Sequence, residues 1–281
     1  MLTEAKIGET VVDLLYKAET TLPSDVVGAL RAAERRESGV AKTQLKAILN
    51  NVVLAGERKT PICQDTGLPV FFVGVGSKSK ADLSVIEKGI VRGVRLASKT
   101  IPLRPNVVHP ITRKNTGDNT GVGVPIVEFM SLPGKDYIEI SVLPKGAGSE
   151  NMSALKMLNP SEGVNGIKKF ILETVAYAGS NPCPPTIIGV GIGGTADKAM
   201  KLSKKALLRR IDERNKDKLF AKLENELLSD INRLDVGPMG LGGKTTSLGV
   251  NIEFAFCHTA SLPVAVNIQC WADRRATARI K

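Results

Sequence analysis

The chain is poor in the residues that most often signal chemistry. Of 281 residues only four are cysteine, two histidine and one tryptophan, and aromatics make up 4%. The cysteines, at positions 63, 183, 257 and 270, are 120, 74 and 13 residues apart. That spacing excludes a CxxC redox motif and a short-spaced zinc knuckle. A reducing cytosol also disfavours structural disulfides, so the thiols are either unconnected or ligands that only the fold brings together. No run approaches the roughly 18 uninterrupted apolar residues of a membrane span. The opening "MLTEAKIGET" is polar, with two acids, unlike a secretory leader. These absences predict a cytoplasmic protein without membrane association. The formal charge is +11, but the basic residues gather in "KALLRRIDERNKDK" (205–218) and in scattered Lys-Lys pairs, with few aromatics among them. They read as a solvated helical face interleaved with acids, and no nucleic-acid partner is expected. Net positive charge steers small dianions equally well.

What is present is ordinary globular material, 42% hydrophobic and 24% charged, enough for one large or two modest cores. Three helices are predicted within residues 1–58, the second opening near Pro23, and together they would form a lid or base. A strand follows at 68–75. From Asp82 a helix sets Leu83, Ile86, Ile90, Val94 and Ala97 on one face. Residues 101–125, "IPLRPNVVHPITRKNTGDNTGVGVP", lose all periodicity; so long a structureless stretch reads as a site loop. Strands are predicted near 126–130 and 137–143, then a short helix N-capped by Ser149. Asn159 and Glu162 form a capping box with Pro160 at the first helical position. The remainder alternates a strand ("PTIIGVGIGG"), two helices and two strands ("TTSLGVNIEFAF", "LPVAVNIQC"). The order indicates an α+β class of mixed helices and sheets, one domain over 1–281 with a helical segment (1–58) and an α+β body (59–281).

Two glycine motifs invite a nucleotide-binding reading, the alternative outside any enzyme family considered below. Gly189, Gly191 and Gly194 match GxGxxG, but a lysine-rich helix occupies the place of the acidic residue the dinucleotide fingerprint needs. "GPMGLGGKTT" ends in Gly-Lys-Thr, but Pro238 stands where a phosphate loop requires glycine. His109 and His258 lack a nearby ligand partner. Cys63 precedes Gln64-Asp65-Thr66-Gly67, Cys183 sits among prolines, and Cys270 precedes "WADRRATARI". Three isolated cysteines in turn-like, hydrogen-bonding settings suit a cubane iron–sulfur cluster with one iron left open, and an open iron is a Lewis acid.

"CQDTG", "LRPN", "NTGDN", "KGAGSEN", "CPP…GIGGT", "HTASLPVAV" and "CWADRRATARI", in this order from residue 60 onward, resemble the α subunit or N-terminal domain of class I fumarate hydratases and the related L-tartrate dehydratases. The resemblance implies a hydro-lyase with a [4Fe-4S] cluster held by Cys63, Cys183 and Cys270, and a spare thiol at Cys257, read as a small buried apolar side chain. It implies reversible hydration of fumarate to L-malate, a step of the tricarboxylic acid cycle, with L-tartrate dehydration as the alternative. Arg104, Gln64 and the amide of Gly148 would bind the dicarboxylate, and Asp65 and His258 would serve catalysis. Leu68-Pro69 after "CQDTG" differs from some members, so the pocket wall need not be identical. Single-chain members continue into a second domain; this chain stops at Lys281, so a separately encoded β subunit is expected, in a hetero-oligomer whose α chain is inactive alone.

Overall fold

A computed structural model of the protein describes residues 2–281. In chain order the elements are α1 (Glu4–Thr20), α2 (Ser24–Arg36), α3 (Gly39–Arg58), β1 (Leu68–Gly76), α4 (Leu83–Thr100), β2 (Ile126–Leu132), β3 (Ile138–Lys145), α5 (Ala147–Glu150), β4 (Ala154–Leu158), α6 (Gly163–Ala178), β5 (Thr186–Ile192), α7 (Ala196–Ala206), α8 (Lys218–Asn232), β6 (Ser247–Phe254), β7 (Leu262–Gln269) and β8 (Ala276–Ile280). The class is α+β, as the sequence indicates. Among the described residues no helix is long and apolar enough to cross a membrane.

The chain does not divide at residue 58. One compact unit comprises the chain up to Pro23, Asn51–Ala147 and Arg274–Lys281; the other comprises Ser24–Asn50 and Gly148–Asp273. The three N-terminal helices are therefore divided between the two units. The reason lies in their apolar stripes: Ile7, Val11, Leu14 and Ala18 of α1 belong to the first core, while Val26, Leu30 and Ala33 of α2 are buried in the second unit.

In the first unit a four-stranded sheet runs β2-β1-β3-β8, with β1 parallel to β2 and antiparallel to β3. Alternate residues Phe71 and Val73 of β1 and Ile138, Ile140 and Val142 of β3 face α1 and α4, as period-two side chains on a half-covered sheet must. Asp82 caps α4 through Ser84 N–H at 2.8 Å. Strand β8 was not foreseen, because "ATARI" is short and offers only weak alternation.

In the second unit the order is β4-β7-β5-β6, with β5 parallel to β6 and antiparallel to β7. Ile188, Val190 and Ile192 of β5 join α6 and α8 in one core, leaving Gly189 and Gly191 on the face against α7. A Cβ at Gly189 would stand 2.2 Å from the Ser203 carbonyl, and one at Gly191 2.0 Å from that of Ala199. The glycines of the GxGxxG match thus let α7 lie directly on the strand. Two further expectations are corrected. The short helix is Ala147–Glu150, so Ser149 lies inside it rather than at its N-cap, and the residues beyond Glu150 form a turn and then β4. Residues 205–218 are mostly the α7–α8 connection, not a helical face; Arg210 pairs with Asp212 at 2.6 Å, and Arg209 with buried Glu224.

Candidate functional site

In the first unit, the loop carrying Cys63 is fixed from both sides. Ile62 N–H donates to the Glu19 carbonyl at 2.8 Å, and Asn51 Nδ2 donates to the Ile62 carbonyl at 2.8 Å. The Thr66 hydroxyl accepts Arg104 N–H at 3.1 Å and donates to the Arg104 carbonyl at 3.3 Å. Asn106 Nδ2 reaches Asp65 Oδ1 at 3.3 Å and the Gly67 carbonyl at 3.2 Å, and Asn119 Oδ1 accepts Asn106 N–H at 2.7 Å. "CQDTG", "LRPN" and "NTGDN" are therefore one hydrogen-bonded body, which explains why the aperiodic stretch 101–125 is ordered. Asp65 accepts Gly67 N–H at 2.9 Å through Oδ1 and Ala147 N–H at 2.8 Å through Oδ2. Gln64 and Arg104 are exposed. The Arg104 backbone is clamped while its guanidinium is presented to solvent, as a carboxylate-binding group requires.

In the second unit three of the expected residues converge. The Cys183 carbonyl accepts Trp271 N–H at 3.2 Å, which sets the Cys183 loop beside Cys270. Gly148 sits against the same loop: a Cβ there would lie 3.1 Å from the Asn181 carbonyl. Its neighbour Ser149 reaches Gln269 Oε1 at 3.4 Å, adjacent to Cys270. Cys183 has φ +54°, a conformation that L residues adopt at a cost and that persists only where surroundings dictate it. Those surroundings are Trp271, the Ser180 carbonyl (3.0 Å from Cys183 N) and Met239, whose N–H donates to the Pro184 carbonyl at 2.8 Å. The "GPMGLGG" loop thus buttresses the cysteine turn. Met239, Trp271, Asn106 and Ala147 were not foreseen. The backbone of three of them carries the contact, so side-chain type gives no signal; Asn106 stood in a quoted motif without an assigned role.

His258 lies at the other end of β7. It precedes β7, and Cys270 follows that strand of eight residues, which separates them by roughly 25 Å at strand rise. His258 is exposed, and its Nδ1 accepts Ala260 N–H at 3.1 Å, leaving Nε2 as the donor. Cys257 is also exposed, contrary to its reading as a buried apolar side chain. No cysteine is in a disulfide. Cys63 and Cys270 are half-buried and Cys183 exposed, so each sulfur is within reach of a soft metal. Among the described residues no three His, Cys, Asp or Glu side chains gather as for a single ion; a cubane holds its thiolates farther apart than one ion does. Adjacent Cys183 and Cys270 loops, joined through the Cys183 carbonyl and Trp271 N–H, fit such a group.

Residues 8–279 match the family model described as fumarate hydratase (Fumerase). A Methanocaldococcus jannaschii protein, provisionally named L(+)-tartrate dehydratase subunit alpha, is 54% identical over 279 residues, covering 98% of each chain. The L(+)-tartrate dehydratase subunit alpha of Escherichia coli K12 is 38% identical over 273 residues, covering 97% of this chain and 90% of its own. That of Shigella sonnei is similar to the same extent.

Proposed function

Because the chain belongs to the fumarate hydratase family, a family of hydro-lyases, we propose that it is the α subunit of a two-subunit enzyme that interconverts fumarate and L-malate. The observation that carries this reading is one set of loops in each unit: Cys183 beside Cys270 and Gly148 in the second, and Cys63 in one body with Asp65, Gln64 and Arg104 in the first. Cys63, Cys183 and Cys270 would hold a [4Fe-4S] cluster. When bound, such a cluster supplies a Lewis-acidic iron that makes a hydroxyl a better leaving group. Arg104 binds one substrate carboxylate bidentately, and Gln64 and the Gly148 amide are further donors to the substrate. Asp65, held by two backbone N–H groups and the Asn106 amide, orients the hydroxyl proton of the substrate. No residue in this set is placed to take the C3 proton, so that base is assigned to a β subunit. The names of the relatives, each a subunit alpha, support such a partner. They also favour a second reading, L-tartrate as substrate, since fumarate and tartrate both present two carboxylates to Arg104 and its neighbours.

The test is an anaerobic co-preparation with the partner subunit, assayed for fumarate hydration and for L-tartrate dehydration. The fumarate reading expects kcat/KM for fumarate at least tenfold above that for tartrate; the reverse ratio selects the second reading. Activity on neither refutes both.

A further inference from the structure

Beneath the "CQDTG" loop the first unit buries a complete ion pair that the reaction as described does not use. Glu19 Oε2 and Arg274 Nη1 are 2.6 Å apart, and each side chain is 1% exposed. The two come from opposite ends of the chain, α1 and the lead into β8. A buried ion pair is weak evidence of stabilisation, since apolar residues of similar volume serve as well or better. Its position is more informative. Arg274 Nη2 and Asp65 Oδ2 converge on Gly146, at 3.8 Å and 3.2 Å from where its Cβ would stand. The Asp65 charge is felt at Glu19, adding to the upward shift of the Glu19 carboxyl. Glu19 also holds the cysteine loop through its backbone carbonyl, which accepts Ile62 N–H. Two carboxylates thus lie near one guanidinium, and Glu19 takes its Nη1.

We propose that Glu19 is a positioning residue: by engaging Arg274 it leaves the Asp65 carboxylate on the N–H groups of Gly67 and Ala147 and the amide of Asn106, aimed as the reaction needs. The inference rests on the function proposed above for what Asp65 does, but its geometry can be tested apart from activity. With Glu19 made permanently neutral, Asp65 is an anion close to the buried guanidinium beside Gly146, and it turns from its donors toward it. The charged groups around Glu19 are Arg274 and Asp65.

The experiment compares Glu19→Gln with the unaltered full chain at pH 8.5, where Glu19 is ionised despite its burial, by residue-resolved amide hydrogen exchange. The expected result is exchange at least tenfold faster at Gly67 and Ala147, with Ile140 and Val142 in the core of the same unit unchanged within twofold. A general loss of structure would move all four together. Unchanged Gly67 and Ala147, or uniform acceleration, overturns the proposal. If Glu19→Gln does not fold, Glu19→Asp, which keeps the charge but withdraws it by one methylene, is read in the same way. In the complex with the partner, Glu19→Gln is expected to lower kcat at least tenfold, with KM within threefold and iron content unchanged. A wild-type kcat, or a loss matched by lost iron, overturns the positioning role. An inactive unaltered complex would instead refute the proposed function, and the exchange data alone would then decide this inference.

Discussion

At the scale of single residues, the contrast between Arg104 and Arg274 is one of surroundings. Arg104 is held by its backbone and exposes its guanidinium; Arg274 is sealed against Glu19. Arg104→Lys should therefore fold normally and raise KM for the dicarboxylate by about 10- to 100-fold, since charge-assisted hydrogen bonds are worth roughly 1.5–3 kcal/mol and lysine lacks the bidentate fork; steady-state kinetics of the assembled enzyme check this. Burial raises the Glu19 carboxyl to about 7 against the opposing pull of Arg274. A carboxyl whose folded pKa lies above its unfolded value of 4.5 holds an extra proton in the native state between those limits, so its contribution to stability is full below about 4.5 and falls as pH rises to about 7. Urea midpoints of Glu19→Gln relative to the unaltered chain should accordingly rise through that window and level off above it. A flat difference would show that Glu19 titrates at its ordinary value. From sequence, Arg104 was legible because an aperiodic polar loop marks a site. Glu19 and Arg274 were not, because 255 residues separate them and each alone looks like a surface charge.

At the scale of elements, periodicity identified most helices and strands, because amphipathic stripes such as Ile86, Ile90, Val94 and Ala97 report the face that packs. It failed where tertiary contacts decide. Strand β4 forms because "ALKML" pairs with β7, although the residues before it resemble a helix start. The GxGxxG match shows the same limit: the glycines serve packing between β5 and α7, and spacing alone cannot distinguish close helix–strand approach from phosphate binding. Gly189→Ala and Gly191→Ala should each destabilise the second unit by about 3 kcal/mol or more, since a Cβ cannot be fitted without moving backbone. Chemical denaturation checks this, and near-neutral alanines would contradict the packing role. Cys183 was legible as a turn residue among prolines. Its left-handed conformation and its brace by Met239 and Trp271 were not, since backbone hydrogen bonds leave no signature in residue type.

At the scale of the whole molecule, the two units share a strand-neighbour pattern: a central strand with a parallel neighbour on one side and an antiparallel neighbour on the other, which in turn pairs antiparallel with an edge strand. The family motifs are distributed over both, with Cys63 in the first and Cys183 and Cys270 in the second. The measurement that tests the central claim most directly is the iron and sulfide content of the chain prepared without oxygen, with its electron paramagnetic resonance spectrum after mild oxidation. It is to be made on the unaltered chain and on the four single Cys→Ser variants. The account predicts about four irons and four sulfides per chain, a three-iron signal on oxidation, retention of both in Cys257→Ser, and loss in Cys63→Ser, Cys183→Ser and Cys270→Ser. A chain that stays iron-free through reconstitution, or full iron retained in Cys183→Ser, would contradict it.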